Sequence, residues 1–196
     1  MYSETAASRA PTTAAEARCA DLSFRLSVYE AGHALTARAL GLKVVSVQML
    51  PRPPVLISDK TFTGKWDSFI EMLEIRIIEL FGGQIAEEHT CDSNTCFGGD
   101  VARIDELCRL VAGLSEEKDA ETIWFDLEDV AIKIFSDDAY RTAILPIADY
   151  LYQRVQNGSE VIDGVDIETE MDKYVPRPPE DKKWMSKVFS FGRKKA

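Results

Sequence analysis

From Leu22 to Leu40 the apolar positions Leu22, Leu26, Ala34, Ala37 and Leu40 fall near a 3.6-residue period. That spacing predicts a helix, and Gly41 supplies its stop. Lys43 to Met49 changes period: Val44, Ser46 and Gln48 alternate with Val45, Val47 and Met49, which predicts a strand with at least one polar face. The run Pro51-Arg52-Pro53-Pro54 forces a loop, because proline has no N–H to give a ladder. A second short strand is expected at Val55-Leu56-Ile57. Trp66 to about His89 is a long helical pattern, with Phe69, Leu73, Ile77 and Leu80 on one stripe. It contains Gly82-Gly83, and two mid-helix glycines cost about 1 kcal/mol each against alanine. Such a pair predicts the close approach of another helix.

A loop should span His89 to Gly99. Helices follow at Asp100–Leu114 (Ile104, Leu107, Cys108 and Val111 on one face), Glu116–Phe135 and Asp137–Val155. Pro146 should kink or interrupt the last of these, and Asn157-Gly158 ends it. Asp163-Gly164 reads as a turn and Asp166–Tyr174 as a short helix. Residues 1–20 are small, polar and broken by Pro11, so they are expected to lack structure. One domain, residues 21–175, lies between that segment and a basic tail, residues 176–196. The predicted fold class is α+β, mostly helical, with one small sheet.

Composition adds bounds. The chain has 196 residues, 45% apolar and 29% charged, enough for a single core. No apolar run reaches membrane-spanning length, and the first twenty residues lack a signal-peptide pattern, so the expected location is cytoplasmic. Four cysteines, Cys19, Cys91, Cys96 and Cys108, are expected as thiols in a reducing compartment. Cys91 and Cys96 are near enough in sequence to form a redox-labile pair, which admits a thiol-sensor reading. Net charge is −10; the tail from Pro176 carries seven Lys/Arg against two Asp/Glu, leaving the remainder at −15. An acidic body argues against nucleic acid as a partner. The basic, aromatic tail suits either a solvated segment or contact with an anionic membrane or acidic partner.

The candidate chemistry lies in Tyr29-Glu30-Ala31-Gly32-His33. In an H-E-x-x-H helix, residues i and i+4 share one face, so two imidazoles bind one zinc while the glutamate acts as base toward zinc-bound water. Here Tyr29 stands at position i, Glu30 at the base and His33 at i+4. Alone, E-x-x-H is a weak signal. Three further segments recur in order: Gly82-Gly83-Gln84-Ile85-Ala86-Glu87-Glu88, Gly98-Gly99-Asp100-Val101-Ala102-Arg103, and Ile147-Ala148-Asp149-Tyr150-Leu151 followed by Val161-Ile162-Asp163-Gly164-Val165-Asp166-Ile167. Together they resemble the zincin-like peptidase domain of the FtsH family, the membrane-anchored AAA proteases, over roughly Ser27 to Tyr174. The resemblance implies a zinc-type helix beside a small sheet, with Glu30 as general base and His33 and Asp100 as metal ligands. Asp100 also suits a helix N-cap after two glycines. Glu87 and Glu88 read as a solvated face and His89 as a surface residue.

Two departures qualify the implied activity. No G-x-x-x-x-G-K-[S/T] loop occurs, so no ATP site is expected. Substrates would then be peptides or unfolded segments, or would be delivered by a separate protease or unfoldase. The second departure is Tyr29, a phenol of pKa about 10 that binds zinc poorly near neutrality. Losing one ligand costs on the order of 3 kcal/mol, about a hundredfold in affinity. Cys96, four residues before Asp100, is the candidate substitute ligand. Two function classes therefore stand: a stand-alone zinc metallopeptidase with a weakened site, its substrate strand added to the Val44–Met49 region, or a metal-free pseudopeptidase that binds peptides or a partner as an adaptor. Folding is expected to be independent of zinc.

Overall fold

The computed structural model describes residues 14–60, 64–92, 98–115 and 118–178. A short helix α1 (Ala14–Arg18) leads into α2 (Leu22–Ala39), and a hairpin follows, β1 (Val44–Gln48) and β2 (Val55–Ser58). Four long helices come next: α3 (Trp66–Cys91), α4 (Gly98–Ser115), α5 (Ala120–Ser136) and α6 (Asp138–Gln156). Strand β3 (Val161–Asp163) and helix α7 (Gly164–Met171) complete the order. The class is α+β and mostly helical, as the periodicities predict.

The sheet order is β2-β1-β3, and both pairings are antiparallel. Val47 sits opposite Leu56 on one side and Ile162 on the other, and all three are buried. The opposite face carries Ser46 and Gln48 beside Val55, Ile57 and Val161, and those three apolar side chains are about half exposed. Val44–Met49 was expected to offer a free edge. It is the central strand, because Val161-Ile162-Asp163, read from sequence only as the approach to a turn, pairs along it.

Helices α2 and α3 cross at their glycines. A Cβ on Gly32 would lie 2.2 Å from the Gly82 carbonyl oxygen and 2.6 Å from the Ala86 Cβ. A Cβ on Gly82 would lie 2.1 Å from Thr36 Oγ1. The mid-helix glycines thus have the reason the sequence demanded, a helix against their backbone. Their conformational cost is offset by burial: fourteen residues of α2, including Ala31, Ala34, Leu35 and Ala37, are shielded from solvent.

The far end of α2 is fixed by a buried cation. Arg38 Nη1 donates to Glu168 Oε2 at 2.8 Å, and Nη2 donates to the Val175 carbonyl at 2.8 Å and also pairs with Asp172. Glu168 Oε1 in turn accepts the Val44 N–H at 2.9 Å. One guanidinium therefore joins α2, α7 and β1, and its buried charge is compensated.

Several expectations need correction. Within the segment expected to lack structure, residues 14–18 form α1 and Cys19 after it is buried; residues 1–13 lie outside the described residues. Cys19 and Cys91 form a disulfide with Cα atoms 5.6 Å apart, so Cys91 is neither a thiol nor a partner for Cys96. Their separation of 72 residues is closed only by packing α1 against the end of α3. Cys96 lies outside the described residues. Pro146 does not break α6, which runs unbroken from Asp138 to Gln156. Ala143 and Ile144 before it and Ile147, Ala148 and Leu151 after it are all buried, and this packing holds both halves in line. Glu87 is not solvated: it is fully buried and accepts from Arg25 Nη1 at 2.8 Å. Glu88 and His89 are exposed. The fold also extends past Val175, since Arg177 donates to both Asp172 oxygens. The tail from residue 179 lies outside the described residues.

Candidate functional site

Tyr29, Glu30 and His33 occupy adjoining positions of α2 and are 4%, 2% and 5% exposed. Spacing i to i+4 stacks the Tyr29 and His33 rings edge-to-face, with centroids 4.7 Å apart. Gly83 of α3 lies directly against them: a Cβ there would be 2.6 Å from His33 Cε1 and 2.7 Å from Tyr29 Cζ. The second glycine of the pair thus makes room for the two rings.

Asp100 reaches the cluster from the first turn of α4. It was expected to cap that helix, but the helix starts two residues earlier, at Gly98, so Asp100 lies inside the first turn. A carboxylate is favoured there by the helix dipole. Asp100 Oδ2 accepts the Tyr29 hydroxyl at 2.6 Å and lies 3.2 Å from His33 Nε2. The other ring nitrogen, His33 Nδ1, is 2.7 Å from the Glu79 carbonyl oxygen.

A carbonyl oxygen and an ionised carboxylate only accept. Both His33 nitrogens face such groups, an arrangement that favours a proton on each. Burial opposes the charge, but the Asp100 hydrogen bond and the negative fields of Glu30 and Asp100 outweigh it and raise the His33 pKa. Asp100 is likewise pushed up by burial, yet the bond from His33, its charge and the Tyr29 hydroxyl hold the carboxyl below its ordinary range. The result is a Tyr29–Asp100–His33 cluster, buried at the two rings and partly exposed at Asp100, whose donors and acceptor satisfy one another.

Glu30 differs from its neighbours. Its Oε2 is buried with no hydrogen-bond partner among the described residues. Burial raises its pKa to about 7, against the counteracting charge of His33. Glu30 therefore keeps its proton to a higher pH than an exposed glutamate does.

Sequence reasoning missed Glu79. Its side chain is fully buried and accepts from Ser58 Oγ at 2.7 Å, Lys60 Nζ at 2.6 Å and Arg76 Nη1 at 2.9 Å. Burial pushes this carboxyl up, but Lys60 and Arg76 hold it ionised. Its carbonyl orients His33, so one residue ties β2 to the cluster. The available signal was a charge inside the apolar run Ile77-Ile78-Glu79-Leu80-Phe81.

The donor set can be tested against zinc. Ligands of one tetrahedral zinc, each at about 2.0–2.1 Å, lie about 3.3 Å apart. The His33–Asp100 spacing of 3.2 Å meets that value. The Tyr29–Asp100 spacing of 2.6 Å does not; it is the length of a hydroxyl–carboxylate hydrogen bond. A metal would also have to displace two protons, from Tyr29 Oη and His33 Nε2. Among the described residues, no group of three or more His, Cys, Asp or Glu side chains is placed to hold a metal ion. Among the described residues His33 and Asp100 alone leave the set one short of the three protein ligands of catalytic zinc sites, so the described set does not fit; Cys96 lies outside the described residues. No family model matches this chain, and no curated protein matches it. No described helix is long and apolar enough to cross a membrane.

Proposed function

We propose that this chain is a pseudopeptidase: a domain resembling the FtsH peptidase in which Tyr29 has converted the zinc site into a metal-free hydrogen-bonded cluster, and which acts by binding extended peptide segments. The observation that carries the reading is the Tyr29–Asp100 hydrogen bond of 2.6 Å. It supplies the carboxylate with a proton donor where the family pattern would place a metal-binding histidine. Glu30, its carboxyl pushed up by burial, would in this reading have no zinc-bound water to serve.

The peptide site in this reading is the outer edge of β2. That strand pairs only with β1 among the described strands. It presents Val55 and Ile57, 45% and 48% exposed. Ser58 connects it through Glu79 to His33. An added strand gains main-chain hydrogen bonds at such an edge and side-chain selectivity from the alternate positions.

The test uses a fluorescently labelled, permanently unfolded polypeptide. The expected result is saturable binding without cleavage, weakened about tenfold by Ile57→Asp, or about 1.4 kcal/mol. Chelator-sensitive cleavage, or absence of binding, overturns the reading. The rival is a weak zinc metallopeptidase in which Glu30, His33 and Asp100 keep their family roles. The His33–Asp100 spacing favours it, and metal analysis separates the two.

A further inference from the structure

Away from the cluster, α4 and α5 form a surface that the proposed function leaves unused. A cavity of about 520 Å³ opens between them, lined by Asp105, Arg109, Ala120, Glu121, Trp124 and Phe125. Phe125 is 57% exposed and Ile132, two turns along the same face of α5, is 48% exposed. Trp124 is half-buried, its ring edge-on to Phe81 at 5.3 Å. The surroundings are acidic: besides Asp100 in the cluster, α4 and α5 carry six carboxylates against three cations. Of those cations, Arg109 is already paired with Asp105.

The chain itself holds a segment of the opposite character. Lys182 to Lys195, KKWMSKVFSFGRKK, carries six Lys/Arg and no Asp/Glu, interleaved with Trp184, Phe189 and Phe191. The last described residue, Pro178, lies beside Gly41 just past the end of α2. The Val175 carbonyl is held by Arg38, and that guanidinium lies within electrostatic reach of Tyr140 in the first turn of α6. The first turn of α6 directly follows the end of α5 at Ser136. From there the Ile132–Phe125 stripe runs back along α5 to the cavity. Helix α5 has 17 residues, about 25 Å of length. Eighteen residues follow Pro178, and at full extension they span up to about 60 Å, so reach is ample.

We infer that the segment Lys182–Lys195 docks in cis on the α4–α5 surface, with an aromatic side chain in the Trp124–Phe125 cavity and its cations over the surrounding carboxylates. Opposite charge steers the contact, and burial of an aromatic ring against Trp124 and Phe125 supplies most of the attraction. Being tethered, the segment meets its site at an effective concentration in the millimolar range, so a weak contact is well populated.

The experiment replaces Trp184 in the full chain with a photoreactive benzophenone amino acid and maps the cross-links by mass spectrometry. The expected result is an intramolecular adduct to α4 or α5, its yield unchanged over a hundredfold dilution. It should be lost in a Phe125→Asp/Ile132→Asp double variant that keeps the parent circular dichroism spectrum. Adducts only between chains, fading on dilution, would assign the surface to a second copy and overturn the proposal. Adducts to other faces would overturn it as well. Absence of any adduct, with the chain sedimenting on vesicles of anionic phospholipid, would move the segment to a membrane surface and also overturn it.

Discussion

Gly32→Ala places one methyl group at the α2–α3 crossing, and the structure fixes what it meets. The new Cβ would stand 2.2 Å from the Gly82 carbonyl oxygen, 2.6 Å from the Ala86 Cβ and 2.8 Å from the Gly82 carbonyl carbon. A carbon–oxygen contact needs more than 3 Å, so the helices must part by about 1 Å. Two of the three atoms are backbone and cannot rotate away. Helix propensity alone would favour alanine by about 1 kcal/mol. Overpacking costs about 1–3 kcal/mol, and more where backbone has to shift. Backbone must shift here, so the upper part of that range applies and the net effect is a loss of about 2 kcal/mol. Gly113→Ala is the matched control. It also lies in a helix, and its Cβ would meet nothing within 4 Å. There the propensity gain stands alone, and stability should rise by up to about 1 kcal/mol. Thermal unfolding followed by circular dichroism reads both, with Gly32→Ala about 4–8 °C below the parent and Gly113→Ala above it. A Gly32→Ala protein as stable as the parent would refute the crossing described above.

Three further outcomes follow from the same contacts. Opening the Cys19–Cys91 link, whose partners are 72 residues apart, should cost about 4 kcal/mol by loop-closure entropy, read as a lower urea midpoint for Cys91→Ser than for the oxidised parent. Glu30 holds its proton up to about pH 7 in the folded chain, against an ordinary value of 4.5. The native state therefore binds more protons than the unfolded state between those values, and stability falls by about 3 kcal/mol as pH rises through that window, then levels; Glu30→Gln should remove this slope in urea titrations run from pH 4 to 8. Arg38→Met removes the nearer cation of buried Glu168 and leaves it Arg177 at 3.8 Å, and should cost about 3 kcal/mol, whereas an exposed pair such as Arg109–Asp105 should cost under about 1 kcal/mol when broken.

Much of the helical layout is legible because it rests on local periodicity. The stripe Phe69, Leu73, Ile77 and Leu80 marks α3, and Gly82-Gly83 announces a neighbouring helix without naming it. The Tyr29-Glu30-His33 face follows from i to i+4 geometry, whereas Asp100 entered only through the resemblance to the FtsH pattern. What stayed hidden depends on contacts far apart in sequence. No local pattern links Cys19 to Cys91. Glu87 looks solvated until Arg25, from the other helix, is beside it. Three residues of β3 are too short to show a period, so the central position of β1 could not be seen. Pro146 follows a sound local rule that tertiary packing overrides. The two acceptors that favour a charged His33, the Glu79 carbonyl and Asp100, are brought together only by the fold.

The central claim is that Tyr29, Asp100 and His33 satisfy one another without a metal. Zinc content per chain, measured by plasma mass spectrometry on protein purified without chelator and equilibrated with buffered zinc, tests it most directly, with Tyr29→His measured alongside. The account predicts substoichiometric zinc in the natural protein and about one zinc per chain in the variant, with affinity raised about a hundredfold. One tightly held zinc per chain in the natural protein would contradict it and return Glu30, His33 and Asp100 to a hydrolytic centre.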